Sequence, residues 1–324
     1  MWKAKAFITS DISLRLHMRN LKAIGCATVA ALATLGTAGS TSATGSARLL
    51  EINGVAGDID VKTSAGAPFK VEIIPGRKMT AELVQDGGTL RVQGPLGNNT
   101  RSQCMNRDQG SARSNVLTIN GTDYVDGDLP RILVTGPNTM GLRIKRSLVT
   151  GQVGDVGGAT ISHTSCGNLI IGNVARDLQA SVSGPGNIRV GNIGRRTEAN
   201  IAGSGNMQLG DIGTDLEVNV GGSGDTRIGS VKGRAQINSA GSGNVDVKSV
   251  LKWVEVNVAG SGDVNLLAGR SELSANIAGS GDVRHGGTVI NPKVNIVGAG
   301  DVIVARVEGQ PRVSKLGSGE FRID

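Results

Sequence analysis

Aromatic side chains are almost missing from this 324-residue chain, of which they make up 2%. A compact globular core normally draws on aromatic rings for much of its volume. Their scarcity beside frequent Val, Ile and Leu points to a thin core of aliphatic side chains. Cysteine is also rare, with three residues, and no apolar run is long enough to span a bilayer permanently. Glycine, by contrast, supplies 50 residues. They follow no strict three-residue period, which excludes a collagen-like helix.

The first 43 residues read as an address. Met18-Arg19-Asn20-Leu21-Lys22 is a short basic region, and Ala23 to Leu35 is a weakly apolar run. Small residues follow, with candidate cleavage points after Ala38, Ala43 or Ala47, the layout of a secretory signal peptide. Residues 1–17 carry Asp11 and no useful apolar run, so Met18 is a candidate start. The stretch ending at Cys26 resembles a lipoprotein cleavage box only faintly, because too few apolar residues separate it from Lys22. Lys3, Lys5, Arg15, Arg19 and Lys22 against Asp11 give this leader four of the seven formal positive charges, leaving three. So mild a charge argues against a nucleic-acid partner. Loss of the leader also removes Cys26 and leaves Cys104 and Cys166, which in an exported protein read as a disulfide.

An internal repeat dominates the rest. The Gly of a Gly-Asp, Gly-Asn or Gly-Glu pair recurs at 167, 186, 205, 224, 243, 262, 281, 300 and 319, every 19 residues without insertion or deletion. Apolar columns keep the same phase, as in Ile161, Ala180, Ala199, Val218, Ile237, Val256, Ala275, Val294 and Val313. Within a unit the alternation has period two, as in Leu216-Glu217-Val218-Asn219-Val220, which marks a strand with one buried face. Short strands in register can bury their apolar faces only by stacking coil on coil. The expected fold is therefore all-β, a single-stranded parallel β-solenoid of 19-residue coils. Glycines flanking Ser in the Gly-Ser-Gly corner are expected to supply backbone angles that a Cβ forbids. The Asp or Asn that follows is expected to form an Asx turn.

Residues 44–158 read as looser coils of the same architecture, and 159–324 as the regular repeat. "LLEINGVAGDIDV", "GGTLRVQG" and "LPRILVTGP" are strand candidates closed by turns. Residues 97–115 are polar and read as an excursion or mobile loop. Cys104 lies in it, and Cys166 takes the Ser place of the first regular corner, so a bridge would pin the excursion to the solenoid.

The strand leading to "LPRILVTGPNTMGLRI" and the succession of "AGSGDV", "AGSGNV" and "GGSGDT" corners, with the leader, resemble the GIN-domain family of auto-transporter adhesin head domains. The resemblance covers nearly all of the chain beyond the leader. It implies a right-handed solenoid, export from a bacterial cell and an adhesin-like role, and it offers no catalytic residues. An auto-transporter also needs a membrane barrel of alternating ten-residue segments with aromatic girdles. Phe321-Arg322-Ile323-Asp324 still belong to the last coil, so self-translocation is not expected.

Candidate chemistry is sparse. Asp263, Asp282 and Asp301, then Glu320, recur at one corner of consecutive coils, roughly 4.8 Å apart. Stacked carboxylates at that spacing could hold calcium. Other coils have Asn168, Asn187, Asn206 and Asn244 there, and calcium β-roll spacing is absent. A phosphate-cradling loop needs a helix after the glycines, and here a strand follows. His163 and His285 lie more than six coils apart, too far to share a metal. An enzyme acting on polysaccharide would have to place its acids in residues 97–130, with Asp123, Asp126 and Asp128 as candidates. The most regular polar feature is Asn200, Asn219, Asn238, Asn257, Asn276 and Asn295, expected on the outer face beside Glu198, Glu217 and Glu255.

These readings combine into a non-enzymatic, exported module, periplasmic, surface-bound or secreted, with no resident cofactor and no membrane span. Its partner would be an envelope or surface glycan or protein, or another copy meeting it through the Asn face. The polysaccharide-active enzyme is the alternative.

Overall fold

The computed structural model describes residues 41–45, 47–109, 112–164 and 166–324, apart from the side chains of 41–45 and 105–115. The leader reading, with Met18 and Cys26, falls almost wholly on residues 1–40, outside the described residues. Every regular element among the described residues is a β-strand.

Alternation of β-branched and polar residues builds the long side of each coil. Leu178–Val182, Thr197–Ile201, Leu216–Val220, Arg234–Ser239 and Trp253–Val258 stack in parallel, each paired with the strand one coil on. The register holds at 19 residues, so Asn200 faces Asn219 and Ala199 faces Val218. A shorter side follows the Gly-Ser-Gly corner, with Ile188–Val190, Met207–Leu209 and Thr226–Val231 paired in the same way. Isolated parallel bridges, Val174 to Ile193 and Ile193 to Ile212, form a third side. The result is a three-sided parallel β-solenoid of about 10 turns. Its interior is one continuous cluster of aliphatic residues. Buried Val, Ile, Leu and Ala fill the inward positions of the Leu216–Val220 strand and most of those of its neighbours, with Thr197 and Ser239 the polar exceptions.

Chain order departs from stacking order at the N-terminal end. Leu49–Asn53 lies between Gly141–Val153 and Thr89–Gln93, parallel to both. Ala56–Ser64 lies between the later part of Gly141–Val153 and Arg131–Pro137. From Leu49 the chain therefore runs inside the stack, passes outward to form an end layer, and returns at Gly141 to build the regular coils. That end layer is antiparallel: Phe69–Ile74 on Arg131–Pro137, Glu82–Asp86 on Thr89–Gln93, and Thr41–Gly45 on Phe69–Ile74. Antiparallel strands stop the parallel ladder from offering a flat edge for further pairing.

Residues 97–115 differ from the loop that their polarity suggests. Ser102–Gln109, Ala112–Ile119 and Thr122–Tyr124 form a three-stranded antiparallel sheet of their own. Cys104 and Cys166 are joined by a disulfide, and Ile119, Ala56, Leu96 and Leu148 make a small second core under the excursion. Closing a loop of 62 residues removes chain entropy worth about 4 kcal/mol from the unfolded state.

The corner glycines correct the expectation of special backbone angles. Most of them, Gly222 and Gly224 included, are not among the positive-φ residues. What they permit is close stacking: a Cβ on Gly224 would sit 2.0 Å from the carbonyl oxygen of Gly205 one coil below, and one on Gly222 would sit 2.1 Å from that of Gly203. Gly221 is different, because the nearest atom to a Cβ there is 3.9 Å away, and neighbouring coils carry Ala202 and Ala240 in that column.

This contrast sets a paired test. Gly222→Ala should lower the unfolding free energy by about 1–3 kcal/mol through overpacking. Gly221→Ala should be neutral or gain about 0.4–1 kcal/mol by restricting the unfolded chain. Urea unfolding of both variants checks it; equal losses would remove the close-approach argument.

Candidate functional site

The Asn residues stand where outward positions of the long side require. Nδ2 of Asn219 donates to Oδ1 of Asn200 at 2.9 Å, and the same bond repeats from Asn238, Asn257, Asn276 and Asn295 at 2.8–2.9 Å. Asn200 ends the ladder on Glu198. Five of the six are half-buried and Asn295 is exposed. A carboxamide carries two N–H donors and two acceptor sites. Each rung therefore spends one N–H and one acceptor along the ladder and turns the remainder outward.

The Gly-Asp and Gly-Asn corners hold a second ladder, which replaces the expected Asx turn. From Asn187 on, Oδ1 of each residue accepts the backbone N–H of its counterpart in the next coil. Asn206 serves Asp225 at 2.8 Å, Asp225 serves Asn244 at 2.9 Å, and Asn244 serves Asp263 at 2.9 Å. Asp263, Asp282 and Asp301 continue it to Glu320. Their second oxygens face arginines. Arg284 reaches Oδ2 of Asp282 at 2.6 Å and of Asp263 at 3.4 Å, and Arg322 reaches Oδ2 of Asp301 at 2.9 Å. Both oxygens of each candidate calcium ligand are thus engaged within the protein. The arginines were legible in principle: in Asp282-Val283-Arg284 an acid and a base two apart share one strand face.

The acids of the excursion are brought together only in part. Asp128 is 2% exposed, with Arg77 at 2.9 Å and Lys78 at 3.0 Å. The Val125 amide, Lys78 and Arg77 hold its carboxyl down to about 2. Asp123 accepts a hydrogen bond from Thr118 at 2.6 Å, whereas Asp126 receives Arg77 only at its backbone carbonyl. An acid kept ionised near neutral pH does not serve as a proton donor there. A similar charge cluster links coils at Glu51, between Arg91 at 3.0 Å and Arg143 at 3.2 Å. Burial pushes its carboxyl up, but Arg143 and Arg91 outweigh that and hold it below the ordinary value.

Both described histidines, His163 and His285, are core residues. His163 donates from Nε2 to the Gly167 carbonyl at 3.0 Å, and its buried Nδ1 has no partner among the described residues. His285 accepts the Gly287 N–H at Nδ1 and has Nε2 3.1 Å from Ser271 Oγ. Burial pushes both pKa values below 6.5, toward the neutral ring. Among the described residues, no group of three or more His, Cys, Asp or Glu is placed to hold a metal ion.

The disulfide closes over a feature that residue spacing did not disclose. Beside it, between the excursion sheet and the short side, lies a cleft of about 860 Å³. Tyr124 and Val125 line one wall and Ile170 the other, with Asp126, Gln152 and Asn168 around them.

Comparison with known proteins follows this geometry. A family model described as "putative auto-transporter adhesin, head GIN domain" matches residues 50–250. The chain is similar to a solved putative adhesin from Parabacteroides distasonis ATCC 8503, at 12% identity over 89% of this chain and 98% of that one, TM-score 0.39. It is also similar to a solved putative lipid binding protein from the same organism, at 14% identity over 89% and 98% of the two chains, TM-score 0.30. Comparison with curated proteins gave no match.

Two outcomes follow. Melting in millimolar calcium and in chelator should coincide, while Asn244→Ala should cost about 1–3 kcal/mol by stranding the Asp263 amide. A calcium-dependent rise in melting temperature would instead restore the corner as a metal site. For the histidines, the folded state binds fewer protons than the unfolded chain once pH falls below about 6.5. Their stabilising effect is full above that pH and is lost on acidification, by at most about 1.4 kcal/mol per pH unit for each ring. Melting between pH 7.5 and 5 should fall, and fall less in a His285→Leu, Ser271→Ala double variant.

Proposed function

This chain belongs to the head GIN domain family of auto-transporter adhesins, and from that premise we propose that it is an exported, non-enzymatic binding module. It presents a stiff, repeating polar surface to a component of the cell envelope or cell surface. The observation that carries this is the Asn ladder. Each coil offers outward amide donors and acceptors at roughly 4.8 Å spacing, on a backbone braced from behind by the aliphatic core. Regular spacing of identical groups suits a repetitive partner, and Glu198 and Glu255 give that face an acidic edge, Glu217 being paired with Arg196 at 2.8 Å.

The absence of catalysis in this proposal rests on the state of the acids. Asp128 is locked in ion pairs and Glu51 is held between arginines. A hydrolase needs one carboxyl held protonated beside another that is ionised. Export is supported by the Cys104–Cys166 bridge, which reducing compartments do not preserve, and by the leader-like composition of residues 1–43. No described helix is long and apolar enough to cross a membrane.

The test is retention without cleavage. Full-length protein would be passed over immobilised envelope material and soluble polysaccharides, scoring bound protein and new reducing or unsaturated ends together. Saturable retention with no new ends, weakened in an Asn219→Lys, Asn257→Lys variant that keeps its melting temperature, is expected. New chain ends would replace the proposal with the polysaccharide-active enzyme. Retention that tracks only with self-association in ultracentrifugation would make the Asn face a contact between copies.

A further inference from the structure

We propose that the cleft between the excursion sheet and the short side of the solenoid is a saccharide-binding site, for a short neutral or amino-bearing oligosaccharide. The proposal deepens the binding-module reading and rests on it, but it concerns a different surface from the Asn ladder.

The first observation is where the aromatic residue stands. The chain has a single tyrosine, and the fold places it in a cleft of about 860 Å³. Tyr124 is half-buried. Across the cleft Ile170 is 43% exposed, and Val125 beside Tyr124 is 38% exposed. Exposed aliphatic side chains also occur elsewhere on the solenoid, Leu267 and Leu316 among them, but Val125 and Ile170 line the same concavity as Tyr124 and give it an apolar floor. Sugar rings carry an apolar C–H face that packs on such a floor, and an aromatic ring is its best partner because one edge stays polar.

The second observation is the polar set around the floor. Asp126 and Gln152 have side chains with no hydrogen bond to another described residue, unlike Asp128 and Asp123 nearby. Asn168 accepts from Asn187 at Oδ1 and so retains its own amide donors. Planar carboxylate and carboxamide groups bond adjacent hydroxyls in pairs, and a few such groups around an apolar floor are the ordinary composition of a small-molecule pocket.

Charge selects among sugars. Asp126 lies on the rim, and Asp58, which also lines the cleft, accepts a hydrogen bond from Thr150 at 2.7 Å. Lys78, whose ammonium lies 5.9 Å from the centre of the Tyr124 ring, is already paired with the buried Asp128. The two lining carboxylates therefore disfavour uronic acids, sulfated sugars and phosphates by like-charge repulsion, and favour neutral or amino sugars. Finally, the walls are held in place before any ligand arrives. The Cys104–Cys166 bridge ties one wall to the other, and Leu117 and Tyr124 pack on the small core of Ala56, Leu96, Ile119 and Leu148. A pre-ordered site loses little conformational freedom on binding.

The experiment is titration calorimetry on the full chain with three probe sets: chito- and malto-oligosaccharides, oligogalacturonates, and a medium-chain fatty acid. Binding of the first set and exclusion of the second are expected. Tyr124→Ala should weaken that binding roughly tenfold, the scale of one stacked ring. Tyr124→Phe should retain it, and Asn238→Ala on the distant ladder should leave it unchanged. Melting curves of each variant separate lost binding from lost folding. Binding of fatty acid alone, or preference for oligogalacturonates, would overturn the assignment. So would oligosaccharide binding indifferent to Tyr124→Ala, or none at all. In any of these cases, retention on envelope material that still depends on Asn219 and Asn257 would leave the binding-module reading intact and discard only the cleft.

Discussion

At the Gly-Asp and Gly-Asn corners from Asn206 to Glu320 a backbone N–H that turns away from the sheet must find an acceptor, and the side chain one coil below provides it. That bond sets the terms for the rest of the molecule. It needs a short side chain with a planar oxygen, hence Asp or Asn at 206, 225, 244, 263, 282 and 301. It also needs the corners to stack with no Cβ between them, hence the glycines whose missing side chains leave room for a carbonyl. An insertion of one residue would move both the acceptor and the glycine out of line. The unvarying period is thus a condition of hydrogen bonding at the corners, as well as a product of the aliphatic ladders inside.

Much of this could be read in the residues, and the parts that could not share a physical cause. The columns through Val218 and Asn219 were legible because period two fixes which face each residue takes and the 19-residue phase fixes what it stacks on. The direction of a bond within a column was not. An Asp oxygen that could reach back to its own turn or forward to the next coil looks the same in one dimension. The end layer was hidden for a related reason: Phe69–Ile74 and Glu82–Asp86 alternate like the other strands, and alternation carries no sign for parallel or antiparallel pairing. Ser102–Gln109 was hidden by composition, since its partners satisfy its backbone without an apolar face. The cleft was beyond reach because Tyr124 and Ile170 become neighbours only through chain reversal and a cross-link.

The distribution of charge then narrows the chemistry left for function. Asp263, Asp282, Asp301, Asp128 and Glu51 are each committed to a cation of the same chain, and both described inward histidines are neutral members of the core. Little ionised reactivity remains. Neutral amides on the long side, and a tyrosine with a few polar neighbours beside the disulfide, are the groups available to another molecule. Both suit adhesion by many modest contacts better than catalysis by a few strong ones.

The bridge between Cys104 and Cys166 also divides the chain mechanically. Backbone hydrogen bonds between coils run along the stack, so a pull from the two ends loads them in series and detaches the outermost coil first. Each regular coil that peels away lengthens the molecule by up to about 65 Å, and its neighbour then bears the load. Such a chain yields in steps instead of failing at once. Peeling from the C-terminal side runs through coil after coil until it reaches the first Gly-Ser-Gly position, where a cysteine stands in place of serine. There a covalent bond takes over from hydrogen bonds, and the load passes through it to Cys104 in the excursion sheet.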